Sequence, residues 1–213
     1  MAFAATALII GAPVPYTAGV IPGIVLAAGR SVRMGRAKAL LPCGPEGITF
    51  VHAVAAALCA GGAEEALVVG RPEDAELRGA VERLPVRARY VENPDADTGQ
   101  LSSVLAGLAA ADHPGVSGVL VTPVDAPLIT AATVAALVAR FRAGAGPIVR
   151  ASHQGRHGHP VLFGRTMFDA LRHADPAVGA RAVLRGHPEA VVEVEVGDPG
   201  VLLDVDTPED YEA

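Results

Sequence analysis

Short, largely apolar runs at 23–27, 66–69, 88–91, 118–121, 148–151 and 191–196 have the length of strands. They alternate with longer segments of helical character at 49–60, 73–84, 101–111, 131–142 and 177–185. That alternation predicts an α/β domain with helices packed on a mostly parallel sheet. Each of the first four runs is followed by a turn and then a helix, so their carboxyl ends are expected along one sheet edge, where open α/β sheets bind ligands. No repeat or low-complexity linker divides the chain, and 21–213 reads as one domain. The stretch 144–164, rich in Gly, Pro and His, is expected to be an irregular loop or flap over the site.

The apolar segment 1–20 carries no Lys or Arg ahead of its apolar stretch and is broken by Gly11, Pro13 and Pro15. It therefore suits neither an export signal nor a membrane span, and a poorly ordered extension is expected. A cytoplasmic protein with no membrane partner follows from this reading. With 51% hydrophobic residues and a net charge of -6 in 213 residues, the chain is the opposite of a disordered one. Its arginines are scattered singly and only 4% of residues are aromatic, which argues against a nucleic-acid partner. Cys43 and Cys59 lack metal-site spacing and read as reduced packing thiols. Among the 17 cationic residues the sole lysine is Lys38.

Chemistry concentrates in five places. LAAGRSVRMGRAKALL, from Leu26 to Leu41, leaves a strand through a Gly-rich turn at Gly29, with Arg33 and Lys38 placed to reach a polyphosphate. It is neither a Walker A loop nor a dinucleotide fingerprint, because Ala39 follows Lys38 and GxGxxG is missing. PVDAP puts Asp125 just beyond the carboxyl end of a strand, a position suited to holding Mg²⁺ against a triphosphate; Thr130 is the better cap for the helix that follows. DVDTPEDY offers Asp204 or Asp206 as a second carboxylate, while Thr207, Pro208 and Asp210 have the pattern of a helix start. Between Asn93 and Ser103, small residues including Gly99 precede a helix, where a base or phosphate oxygens could lie or where Asp97 or Thr98 could simply cap. SHQGRHGHPVLF contains His153, His157 and His159, but Gly155 and Gly158 break any helical frame for a zinc site.

Taken in order, these segments resemble the MobA-like nucleotidyltransferases over about 24–211, and within that family they are most similar to the molybdenum cofactor cytidylyltransferases. The resemblance implies a three-layer, Rossmann-like nucleotidyltransferase fold. It also implies transfer of CMP from CTP to the phosphate of molybdopterin, with Mg²⁺ as cofactor and handover of the product to a molybdoenzyme or its chaperone. On this reading Leu26, Ala27, Ala28, Gly29, Arg33, Lys38, Asn93, Gly99 and Ser103 bind the nucleotide. Lys38, Arg33 and Asp125 are catalytic, Asp125 and Asp206 hold the metal, and Arg156 and His159 face the acceptor. The LAAG form favours cytidylyl over guanylyl transfer, but Gln100 stands where a Met is common, so base and acceptor stay open. Another small-phosphate nucleotidyltransferase, or a nucleotide-binding protein without turnover, is the alternative.

Overall fold

The computed structural model describes residues 19–30, 34, 37–44 and 46–212. Of the expected N-terminal extension, 1–18 lie outside the described residues, while Val20 bridges to Val116. In chain order the elements are β1 (Gly23–Leu26), β2 (Pro42–Cys43), β3 (Ile48–Thr49), α1 (Phe50–Ala60), β4 (Ala66–Gly70), α2 (Ala75–Glu82), β5 (Ala88–Glu92) and α3 (Gln100–Ala111). They continue with β6 (Gly118–Pro123), α4 (Ala131–Arg142), β7 (Ile148–His153), β8 (Arg156–Gly164), α5 (Phe168–Arg172), α6 (Arg181–Gly186), β9 (Val191–Glu195) and α7 (Pro208–Glu212).

The central sheet runs β5-β4-β1-β6-β8-β7-β9. Strands β1, β4, β5 and β6 are mutually parallel. β8 is antiparallel to both of its neighbours, and β7 pairs in parallel with β9. Central β1, β4 and β6 are buried almost throughout, whereas edge strands β5 and β9 alternate, as strands covered on one side must. Successive β1 residues feed opposite cores: Val25 packs with α1, α2 and α4, and Ile24 with α3, α5 and α6. The result is the expected three-layer α/β architecture. Gly107 lets α3 approach β1 closely, since a Cβ there would sit 2.4 Å from Ile24.

Helix starts follow local chemistry. Thr49 and Asp74 accept from the amides of His52 and Leu77, and Thr130 accepts from Thr133 at 3.3 Å, so the cap of α4 is Thr130 rather than Asp125. The helix expected at 177–185 is shorter, because Gly179 lies at φ +75° and helical geometry begins only at Arg181. The irregular flap expected at 144–164 is instead mostly a β-hairpin of β7 and β8. Its glycines and Pro160 misled the reading for separate reasons. Gln154 and Gly155, both at positive φ, form the tight turn. Gly158 is demanded by packing, as a Cβ there would lie 2.0 Å from the Val201 carbonyl oxygen.

Candidate active site

The strand order reverses beside β1: the chain steps outward to β4 and β5, then returns to place β6 on the other side of β1. A cleft therefore opens at the carboxyl ends of β1 and β6. It holds a cavity of about 450 Å³ walled by Leu26, Ala27, Ala28 and Gly29, with Lys38, Gly99, Ser103, Asp125 and Asp206 around it. The predicted Gly-rich turn thus lies where expected, and Arg33 falls outside the described residues.

Lys38 opens a short 3₁₀ turn, Lys38–Leu40, and is only 8% exposed. Its Nζ donates to Asp125 Oδ2 at 3.2 Å and to Asp206 Oδ1 at 2.5 Å. Residues 87 and 168 positions away thus meet one ammonium. Two backbone arrangements bring this about. The Val205 amide donates to the Asp125 carbonyl at 2.8 Å, which lays the C-terminal segment against the turn after β6. The Asp210 carboxylate accepts from the amides of Asp206 and Thr207 while Thr207 Oγ1 accepts from the Asp210 amide, a capping box that fixes the start of α7 and with it Asp206. Asp204 and Asp206 flank buried Val205, yet they serve different spaces: Asp206 lines the nucleotide-sized cavity and Asp204 lines the adjoining one. The Asp204 residue is exposed overall, but its carboxyl is desolvated and faces the charges of Asp125 and Asp206, which together push its pKa up.

Asn93 is 1% exposed and lines neither cavity. Its amide donates to Ser102 Oγ and Ser103 Oγ, both at 2.9 Å, and its Oδ1 accepts from the Asp95 amide. It therefore orients the wall, and Ser103 is the group that faces the cleft. Gly99, at φ +117°, turns the chain into α3 with no side-chain cap, so neither Asp97 nor Thr98 caps that helix. Asp97 instead accepts a two-pronged contact from Arg30, at 3.0 and 2.7 Å, and a third bond from Arg71 at 2.7 Å. Arg71 also donates through Nε to the Ala28 carbonyl at 2.9 Å. Arg30 and Arg71 are not singled out by the sequence and Asp97 only as a helix cap, because an Arg after a strand and an Asp in a loop are ordinary until the sheet sets them side by side.

A second cavity, about 620 Å³, adjoins the first and shares Leu26, Gln100, Pro123 and Asp125 with it. His159 lines it as expected, with an Nδ1 that is buried and makes no hydrogen bond. Burial, reinforced by Arg181 and opposed by Asp125, lowers its pKa to about 4, so the imidazole is neutral near pH 7. Arg156 does not line this cavity. It is exposed at the hairpin turn opposite His153, and the alternation of β8 turns His157, His159, Val161 and Phe163 into the cavity while Arg156 falls on the other face. The cations that do line it are Arg150, Arg181 and Arg185.

The paired carboxylates test whether a divalent metal fits. Asp125 and Asp206 already converge on one cation, and hard carboxylate oxygens suit Mg²⁺ or Mn²⁺ when phosphate oxygens and water complete the shell. Among the described residues no group of three or more His, Cys, Asp or Glu side chains forms an all-protein metal site. The donor set therefore fits a metal that arrives with a phosphate ligand. Among those residues, too, no helix is long and apolar enough to cross a membrane.

Comparison with known proteins agrees with this geometry. The model of the MobA-like NTP transferase domain matches residues 23–191. The purine catabolism protein PucB of Bacillus subtilis is 33% identical over 196 residues, which cover 89% of this chain and 93% of that protein. A probable molybdenum cofactor guanylyltransferase of Opitutus terrae is 37% identical over 134 residues, covering 62% of this chain and 61% of the relative. Rv0371c of Mycobacterium tuberculosis superposes with a TM-score of 0.71 at 27% identity, covering 92% of this chain and 97% of that one, and that protein is also known in complex with manganese.

Proposed function

The chain belongs to the MobA-like NTP transferase domain family, and from that premise we propose that it transfers CMP from CTP to the phosphate of a molybdopterin-type acceptor in the cytoplasm. The observation that carries the reading is the meeting of Lys38, Asp125 and Asp206 at the junction of two cavities. One cavity begins at the Gly-rich turn and has the size of a nucleotide site; the other is lined by Arg150, Arg181 and Arg185 and suits an anionic partner. A transfer between two bound substrates requires such a junction.

In the proposed reaction a non-bridging oxygen of the acceptor phosphate attacks the α-phosphorus of the triphosphate. A P–O bond forms there, the bond from the α-phosphorus to the bridging oxygen breaks, and pyrophosphate leaves with that electron pair. The attacking oxygen is already ionised at neutral pH, so charge repulsion rather than proton removal is the barrier to be lowered. Lys38 supplies a fixed positive charge at the junction, and the arginines of the second cavity hold the acceptor for approach. A Mg²⁺ held by Asp125 and Asp206 would supply Lewis-acid neutralisation of phosphate charge. Neutral His159 offers a ring nitrogen for hydrogen bonding to the acceptor without adding charge.

The name of the Opitutus relative favours a second reading, transfer of GMP from GTP. Pyrophosphate release measured with CTP, GTP, ATP and UTP, with Mg²⁺ and molybdopterin, separates the two. Release with CTP and molybdopterin is the expected result. Preference for GTP would replace the base, and no release with any nucleotide would leave a binding protein without turnover.

A further inference from the structure

Along the cleft, the Lys38, Asp125 and Asp206 end lies at β6 and β1, and the opposite end is built from the segments after β4 and β5. If triphosphate occupies the first end, as the proposed function requires, the nucleoside extends toward the second. The charges there agree with this direction. Asp74 and Asp97 both line that end and together match the charges of Arg30 and Arg71, with Glu73 a further 4.0 Å from Arg71, so the end has little attraction for phosphates.

Its side chains are instead set for a hydrogen-bonding edge. Arg71 is held on two sides, by the Ala28 carbonyl and by Asp97, and its side chain is 16% exposed. Its backbone is fixed as well, because Tyr90 donates its hydroxyl to the Arg71 carbonyl at 2.5 Å. On Asp97, Oδ1 accepts from Arg30 Nε and Arg71, whereas among the described residues Oδ2 accepts only from the terminal nitrogen of Arg30. A carboxylate offers about four acceptor sites, so Oδ2 retains one, while Arg71 retains N–H donors on its outer nitrogens. The pair presents an acceptor beside a donor on a restrained frame.

We propose that Arg71 and Asp97 read the nucleobase: Asp97 accepts from an exocyclic amino group and Arg71 donates to the ring acceptor beside it, so that the site takes an amino-bearing base and rejects the counterpart without that amino group. Cytosine carries this pattern on N4 and N3. Uracil turns a carbonyl oxygen toward the carboxylate, leaving two acceptors face to face, a mismatch that hydrogen-bonding sites reject strongly. Guanine carries an amino group next to a ring acceptor as well, and hypoxanthine lacks it. The inference rests on the proposed nucleotide site but is independent of whether cytosine or guanine is the natural base.

The test is calorimetric titration of the full chain with CTP, UTP, GTP and ITP in the presence of Mg²⁺ and absence of acceptor, for the wild type and Asp97→Asn. The wild type is expected to bind CTP over UTP, or GTP over ITP, by at least about tenfold. An amide both donates and accepts, so Asp97→Asn should reduce that ratio to within about threefold, with UTP gaining affinity in the pyrimidine pair and GTP losing its charge-assisted contact in the purine pair. Thermal melts check that the variant folds, and the wild-type ratios alone decide the matter if it does not. Triphosphates bound with no discrimination in either pair, or a ratio unmoved by Asp97→Asn, overturn the base-reading role and leave nucleotide binding intact. Failure to bind any triphosphate overturns both proposals.

Discussion

Replacing Lys38 by Met removes the ammonium but keeps an unbranched side chain of similar length in a nearly enclosed position. The structure sets the scale. At an effective dielectric of about 20, charges separated as the Lys38 nitrogen is from Asp125 and Asp206, 3.2 and 2.5 Å, attract by roughly 5 to 7 kcal/mol each before desolvation is subtracted. Breaking a buried pair by deleting one partner costs about 3 to 5 kcal/mol. The carboxylates here are 24% and 36% exposed, so water compensates part of the loss and about 2 kcal/mol is a realistic cost, or about 4 to 8 °C in Tm for a chain of this size. Two carboxylates facing each other without the ammonium should also attract a divalent ion more strongly. The assay is thermal unfolding of wild type and Lys38→Met by circular dichroism, without metal and with Mn²⁺ in millimolar excess. A variant that melts lower without metal and regains most of the deficit with it is expected, since ligand at about 100 times its Kd adds about 2.7 kcal/mol. Equal melting temperatures and equal metal response in the two proteins would refute the view that Lys38 is the resident counter-charge of this pair. Lys38→Arg should fail in turnover despite its conserved charge, because a broad planar fork does not fit the point where two carboxylates converge.

The two carboxylates of the C-terminal segment should separate functionally. Asp206→Asn is expected to lower kcat by roughly a hundredfold or more, and Asp204→Asn by less than about tenfold, in steady-state pyrophosphate release; equal losses would undo the assignment of Asp206 to the nucleotide side. Arg181→Ala should raise KM for the acceptor by about tenfold to a hundredfold through loss of one charge-assisted contact, while Arg156→Ala on the hairpin stays within about twofold. His159 binds its proton less readily folded than unfolded, with a pKa of about 4 against the ordinary 6.5 of a solvated imidazole, so falling pH favours the unfolded chain. Its contribution is complete above the unfolded value and is lost between about pH 6.5 and 4, amounting to about 3 kcal/mol at most. Asp204, whose pKa is raised, acts with the opposite sign and persists in both proteins, so urea unfolding of wild type against His159→Phe across that window isolates the histidine. Identical pH slopes would show that His159 is not held neutral by burial.

Much of this protein was legible before any coordinates, and for local reasons. A run such as GIVL or ALVVG has one stable outcome in a helix-flanked chain, a strand buried on both faces, and it adopts that outcome at β1 and β4. Capping chemistry acts over three residues, so Thr130 and the Thr207–Asp210 box could be read from letters alone. The glycines of 144–164 show where such reading fails. Gly158 reports a long-range neighbour, the Val201 carbonyl, and not a flexible loop. Arg156 and His159 were equivalent candidates by sequence, and only the face of β8 on which each falls separates them.

What sequence by itself determined was the class of fold, the order of its main helices and of most strands, and the identity of the chemical groups available at the sheet edge. These depend on period and on short-range hydrogen bonds, which act between residues a few positions apart. Tertiary structure decided which groups meet. Strand order carries Lys38 to Asp125, the bond from the Val205 amide to the Asp125 carbonyl carries Asp206 to both, and the adjacency of β1, β4 and β5 brings Arg71 and Asp97 together. No spacing along the chain encodes such meetings, because they arise when the apolar faces of distant segments are buried against one sheet.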